Sequence, residues 1–252
     1  MDEHTTSLTA RAKLTISLRI TGVRNDGFHY IDAEMVTLDL ADLLTVSRAG
    51  TGLDVVGPFA TGVSLDENNL VNRALRICDI RAHVRIDKRI PVGGGLGGGS
   101  ADAAAILRWA NFTDLVVASE LGADIPFCMV GGRAQVQGIG EIILPMPFVA
   151  TDITLVIPPL TISTPKVYMA WDELGVSKAT GSNDLERAAL VVEPRLANWR
   201  DKISAATGLT PTLAGSGSTW WIYGAHHRLA DELPGAMVLV TKTSPAFDQD
   251  ED

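Results

Sequence analysis

Six glycines fill the seven positions from Gly93 to Gly99, broken only by Leu96, and Ser100 follows directly. Glycine loses more backbone freedom on ordering than any other residue, so such a run does not belong inside a helix or strand. What it offers is bare backbone, with N–H groups free to turn onto a ligand. Ser100 is a good N-cap, and Ala101-Asp102-Ala103-Ala104-Ala105 behind it is a strong helix former. A glycine loop feeding a helix N-terminus gathers unpaired donors and partial positive charge, which suits a polyphosphate. A Walker A loop needs Lys and then Ser or Thr after its last glycine, whereas Gly99 is followed by Ser100 and Ala101. Gly93, Gly95 and Gly98 match a dinucleotide fingerprint, but a glycine run does so almost freely. That fingerprint also needs a βαβ unit near the chain start, and here Pro91 directly precedes the loop. A flexible linker would be Ser-rich and would not lead into a capped apolar helix. An anion-binding loop of another kinase type is the better reading.

Three further side chains could do chemistry. Lys13 opens a strand, where a lysine by itself is commonly an edge residue. Asp124 lies in Leu121-Gly122-Ala123-Asp124-Ile125-Pro126-Phe127, between a helix stop and a proline. A carboxylate among apolar residues is costly unless paired or used, although Asp also suits a plain turn or cap. His29 follows a glycine turn and could meet a substrate, or be structural.

The elements that would carry these groups are legible in outline. Leu14, Ile16, Leu18 and Ile20 alternate, predicting a half-buried strand over Lys13–Ile20, while the polar residues 1–9 are expected to fray. Asn25-Asp26-Gly27 signals a turn, with strands following over 31–40 and 43–48. Residues 51–66 read as loop. Leu70, Val71, Ala74, Leu75 and Cys78 fall at helical spacing behind a cap at Asn68 or Asn69. A strand over 83–87 leads to the glycine loop, followed by helices over 101–111 and 113–121 and a hairpin over 131–143 around Gly138. After Pro145 and Pro147 come a strand at 153–157 and helices near 166–174 and 184–192. A strand pair at 212–223 is broken by Gly215-Ser216-Gly217, and a last strand spans 237–241. Strands and helices alternate without a βαβ period, so the expected class is α+β, with lobes at 1–148 and 149–252.

Composition bounds the partners. The 252 residues are 46% hydrophobic, ample for a core. With 21 basic and 30 acidic residues, the net charge of −9 gives no overall attraction to nucleic acid or anionic membrane. Cys78 and Cys128 are far apart and without a His cluster, so they read as buried thiols of a reducing compartment, with no metal site expected. The first residues lack a leader pattern and no apolar run reaches a spanning length, so a cytoplasmic location is expected.

The loop Gly93–Ser100 running into Ala101-Asp102-Ala103-Ala104 resembles the central glycine motif of the GHMP kinases (galactokinase, homoserine, mevalonate and phosphomevalonate kinases). Supporting stretches occur in family order. They are Ala12-Lys13-Leu14, Ile20 through His29, Ile86-Asp87-Lys88-Arg89-Ile90-Pro91, Leu121 through Phe127, Gly138-Ile139-Gly140-Glu141 and Ser182-Asn183-Asp184-Leu185-Glu186. Within the family the chain is similar to the branch whose acceptor is a cytidine diphosphate conjugate of a methyl sugar alcohol, in the non-mevalonate route to isoprenoids. The resemblance implies a two-lobed fold, with an N-terminal lobe like ribosomal protein S5 domain 2 and a ferredoxin-like C-terminal lobe. It implies ATP and Mg²⁺ as cofactors and a small-molecule acceptor as partner, with no nucleic-acid polymer or membrane, and leaves the oligomeric state open between monomer and weak dimer.

The resemblance also assigns roles. Asp124 would be the general base for the acceptor hydroxyl, and Lys13 would pair with it and steady the transferring phosphoryl. ATP would lie on Pro91, Gly93, Gly94, Gly95, Leu96, Gly97, Gly98, Gly99 and Ser100, with Asn69 and Lys88 lining the adenine pocket. Thr15, Phe28, His29, Ile139, Tyr168, Gly215 and Ser216 would line the acceptor site, Tyr168 by stacking on the base. Tyr168 also reads as the core residue of an amphipathic helix. The family usually has Asn at the place of Thr15 and Tyr at that of Phe28, and Trp220-Trp221 is unusually bulky. Open alternatives are a GHMP kinase for another small alcohol, told apart by failure to bind cytidine nucleotides, and a non-catalytic nucleotide-binding regulator.

Overall fold

The computed structural model describes residues 5–175 and 181–247. The first half contains β1 (Thr5–Val23), β2 (His29–Ser47), β3 (Gly52–Val56), α1 (Leu70–Ile77), β4 (His83–Asp87), α2 (Gly98–Trp109), α3 (Leu115–Leu121) and α4 (Ile125–Val130). Then come β5 (Arg133–Gly138), β6 (Ile142–Met146), β7 (Asp152–Ile157), α5 (Thr164–Leu174), α6 (Glu186–Val192) and α7 (Arg195–Thr207). The chain ends in β8 (Thr212–Leu213), β9 (Trp220–Tyr223), α8 (Leu229–Glu232) and β10 (Met237–Ser244). The fold is α+β and two-lobed.

The sheet runs β3-β4-β2-β10-β7-β9-β8, with β1 and the β5–β6 pair branching from β2. Only β3 and β4 run parallel among these pairs. β10 lies along β7 and reaches β2 through Thr243–Leu38 and Ser244–Thr37, so sheet pairing crosses position 148/149.

Two expectations about strand ends need correction. Residues 1–4 lie outside the described residues, but Thr5–Thr9 do not fray. They pair with Leu43–Ser47, and Leu8 is buried. The strands expected over 31–40 and 43–48 are one strand, because Asp42 does not need to turn outward for water. Its carboxylate is buried and takes the amides of Arg89 and Ile90 at 2.5 and 2.8 Å.

Helix α2 starts at Gly98, not after Ser100. Gly97, at φ 68°, is its N-cap, and Ser100 falls in the first turn. A left-handed residue turns the loop into the helix within one step, which leaves no capping position for Ser100. Ala101 through Leu107 are all buried, so α2 is enclosed on every side, apolar there except for Asp102, and packs between β1, α1 and α4. Its alanines allow that close approach. Sequence patterning also misses β3, α4, α7 and α8.

Candidate active site

The register of β1 against β2 slips at Arg11/Lys13 and again at Thr15/Ser17. Irregularities of this kind re-aim side chains. Between the two slips, Lys13 and Thr15 lie two residues apart on one face, both buried beside the glycine loop. The Lys13 amide donates to the Leu96 carbonyl at 3.0 Å, which docks the loop on β1. The loop fits only because Gly97 lacks a side chain, since a Cβ there would stand 2.7 Å from Lys13 Cγ. A Cβ on Gly95 would stand 2.2 Å from the Ala214 carbonyl oxygen, so the same loop also touches the turn before β9.

Lys13 Nζ meets Asp124 Oδ2 at 3.2 Å and Thr15 Oγ1 at 3.3 Å. Asp124 occupies the N-cap position of α4, yet its side chain makes no capping bond there. Pro126 at the second helical position needs no amide acceptor, so α4 can begin without that cap. The carboxylate is thereby free to face the cleft, with its side chain 31% exposed against 6% for Lys13.

The cleft at this pair measures about 770 Å³. Thr15, Phe28, His29, Ile139, Tyr168, Gly215 and Ser216 line it together with Lys13, Asp124 and Ser100. An adjoining cleft of about 300 Å³ is lined by Asn69, Lys88, Pro91 and Gly93 through Gly99. The two share the glycine loop. Every residue to which the resemblance assigns a catalytic, ATP or acceptor role therefore borders one of these two adjoining cavities, and the first-turn N–H groups of α2 have no intrahelical acceptor.

Several of those residues are already engaged. Asn69 caps α1 by accepting from the Val71 amide at 2.9 Å and donates to the Ser64 carbonyl at 2.7 Å. The Lys88 ammonium is turned inward between Asp42 and Asp102. His29 Nε2 lies 2.7 Å from Asp172 Oδ1 on α5, and its ring packs against Tyr168 and edge-on to Trp171. Burial pushes the Tyr168 hydroxyl up to about 12, with the Asp124 charge adding to it, so the ring stays neutral. At the cleft mouth Arg24 bonds Asp26 and holds that carboxyl down to about 2. Beside it the Arg24 guanidinium covers the exposed Phe28 ring at 5.4 Å.

Asn183 and Asp172 receive no role from sequence. Asn183 Nδ2 donates to the carbonyls of Leu213 and Gly215 at 2.9 and 2.7 Å, fixing the turn that begins at Gly215-Ser216-Gly217. Asp184 takes the Ile20 amide at 2.9 Å and Arg19 at 2.8 Å, tying the C-terminal half to β1 beside the site. Ser182-Asn183-Asp184 is visible as a motif, but Asp172 leaves no signal because its partner is 143 residues away. Cys128 is buried and its thiol is pushed up to about 12 by desolvation, whereas Cys78 is only half-buried. Among the described residues no three His, Cys, Asp or Glu side chains gather as a metal cage, and no helix is long and apolar enough to cross a membrane.

Chemically, the site joins a loop rich in amide donors, a lysine–aspartate pair and an aromatic wall. That set suits transfer of a phosphoryl group to a bound alcohol, where catalysis is mostly positioning and electrostatics. Residues 69–132 match the model of the GHMP kinases N terminal domain. The 4-diphosphocytidyl-2-C-methyl-D-erythritol kinase of Paracoccus denitrificans is 33% identical, covering 94% of this chain and 96% of that protein. The enzyme of the same name from Ruegeria pomeroyi is 36% identical over 83% of this chain and 85% of its own length. A crystal structure of 4-(cytidine 5'-diphospho)-2C-methyl-D-erythritol kinase superposes with a TM-score of 0.76 at 28% identity, covering 94% of this chain and 99% of that one. Mevalonate kinase of L. major, at a TM-score of 0.69 and 14% identity over 97% and 98% of the two chains, shares the fold.

Proposed function

Because the chain belongs to the 4-diphosphocytidyl-2-C-methyl-D-erythritol kinases, a branch of the GHMP kinases, we propose that its two joined clefts hold ATP and that acceptor on either side of Lys13 and Asp124. The protein is an ATP-dependent small-molecule kinase of isoprenoid precursor synthesis. The observation that carries the site reading is the 3.2 Å Lys13–Asp124 pair at the edge of the glycine loop.

In this reading the 2-hydroxyl oxygen of the acceptor attacks the γ-phosphorus while Asp124 takes the hydroxyl proton. The bond from that phosphorus to the β–γ bridging oxygen breaks, and ADP leaves. The Lys13 ammonium steadies charge on the transferring phosphoryl, and the loop amides hold the β- and γ-phosphates. Mg²⁺, when bound, neutralises phosphate charge. It would arrive with the nucleotide, whose phosphates the amides of Gly93–Gly99 and the N-terminus of α2 would hold. Residues 1–148 form the nucleotide-binding lobe and 149–252 the second lobe, in a cytoplasmic enzyme.

Phe28, His29 and Tyr168 form the wall that takes the cytosine. Tyr168→Ala is expected to raise KM for the cytidine acceptor about tenfold, since base stacking is worth roughly 1–3 kcal/mol. KM for ATP should stay within about twofold in the same steady-state assay, the small change expected of a substitution that does not touch the nucleotide. Equal rises in both constants would mean that Tyr168 supports the fold instead of the base.

Release of ADP from ATP and Mg²⁺ tests the activity against a set of acceptors. Turnover with the cytidine diphosphate conjugate, and little with homoserine or mevalonate, is the expected outcome. A preference for either of the other alcohols would overturn the substrate assignment.

A further inference from the structure

Below the glycine loop lies a charged cluster for which the phosphoryl transfer just described has no use. Lys88 directly follows β4, Asp42 belongs to β2 and Asp102 to the second turn of α2. Lys88 Nζ donates to Asp102 Oδ2 at 2.6 Å and also to Asp42 Oδ2. All three side chains are withdrawn from water, none more than 4% exposed. Asp42 Oδ1 accepts the amides of Arg89 and Ile90, the residues just before Pro91 and the loop. Asp102 stands on the helix just after the loop. One ion cluster therefore grips the chain on both sides of Gly93–Gly99.

Two carboxylates facing one ammonium leave a buried excess of negative charge when both are ionised. Asp102 Oδ1 has no hydrogen-bond partner, and Asp102 with Lys88 lines the smaller cleft under the loop. Other charges nearby are committed elsewhere. Arg73 on α1 donates to the Leu121 carbonyl, Lys13 on β1 pairs with Asp124, and α4 carries no charged residue.

We propose that the Asp42–Lys88–Asp102 cluster positions the glycine loop by holding both its ends, and that Asp102 takes up a proton from solvent when ATP settles on the loop. The inference rests on the reading that the loop binds the nucleotide phosphates. Burial already raises the Asp102 carboxyl above the usual carboxylate range, with Lys88 opposing and Asp42 adding to the shift. A polyphosphate brought to the same loop favours the neutral carboxyl further, as any added like charge does. The proton would sit on the unpartnered Oδ1, and Lys88 and Asp42 would remain a neutral pair. Asp102 is thus a positioning residue that touches neither reacting atom.

The test is calorimetric titration of the full chain with ATP and saturating Mg²⁺, without acceptor, in buffers of different ionisation enthalpy near neutral pH. The parent is expected to show a buffer-dependent binding enthalpy equal to uptake of a fraction of a proton per nucleotide. Asp102→Asn, which mimics the neutral form, should bind ATP and lose that uptake. Binding with the same proton count in both proteins would overturn the proposal. Should the variant not be recovered folded, an infrared difference spectrum of the parent decides. A protonated carboxyl band that appears on nucleotide binding supports uptake, and no such band overturns it. Failure of the parent to bind ATP at all would instead remove the nucleotide reading on which this one rests.

Discussion

Asp124→Asn is expected to lower kcat by about 10²-fold or more, the usual range for a lost general base, with ATP binding kept. The substitution retains shape and removes the ability to take a proton. Asp124 is the carboxylate paired with Lys13 beside the loop, and its backbone begins α4 whether or not the side chain is charged, because no cap bond depends on it. The fold should therefore survive, as thermal unfolding of the variant would check. A variant with parental kcat would take Asp124 out of the mechanism while leaving family membership untouched.

Lys13→Met should cost a comparable amount, about 10²- to 10³-fold in kcat, as loss of a fixed charge at a developing anion does. Methionine keeps the unbranched stem that packs over Gly97 and removes only the ammonium. Arginine should not restore activity. Its planar guanidinium is larger than the ammonium now held between Asp124 and Thr15, and the Lys13 stem runs so close to Gly97 that not even a Cβ would fit there. Since Lys13 and Asp124 act on one transfer, the double variant should fall well short of the product of the single losses. Steady-state kinetics of the three variants measures this. Fully multiplicative losses would mean that the two residues act independently.

The chemistry is more legible in the sequence than the architecture, for identifiable reasons. A glycine run ending in an apolar helix has few uses, so Gly93–Ser100 points to an anion without any alignment. Lys13 and Asp124 are each ambiguous singly and gain roles only through the family resemblance. The geometry then adds the paired register slips that aim Lys13 and Thr15 inward. What stays hidden depends on distant partners. Thr5–Thr9 looks polar and loose, but β2 continues to Ser47 and gives it a strand to pair with. Asp42 would break a strand on propensity alone, and does not, because Lys88, Arg89 and Ile90 satisfy it from another strand's end. α4 is masked by Pro126, and α7 by its sparse apolar residues, with only Leu196 and Ile203 buried. Lys88, expected to line an adenine pocket, does border the smaller cleft, but its ammonium faces the cluster below.

The most direct measurement is phosphorus NMR of the product formed from ATP, Mg²⁺ and 4-diphosphocytidyl-2-C-methyl-D-erythritol by the parent, run beside Asp124→Asn. The expected result is a new phosphomonoester resonance on the 2-hydroxyl with an unchanged cytidine diphosphate pair, formed by the parent and at most about one-hundredth as fast by the variant. Phosphorylation at another hydroxyl, or no new resonance while ATP remains bound, would contradict the proposed transfer.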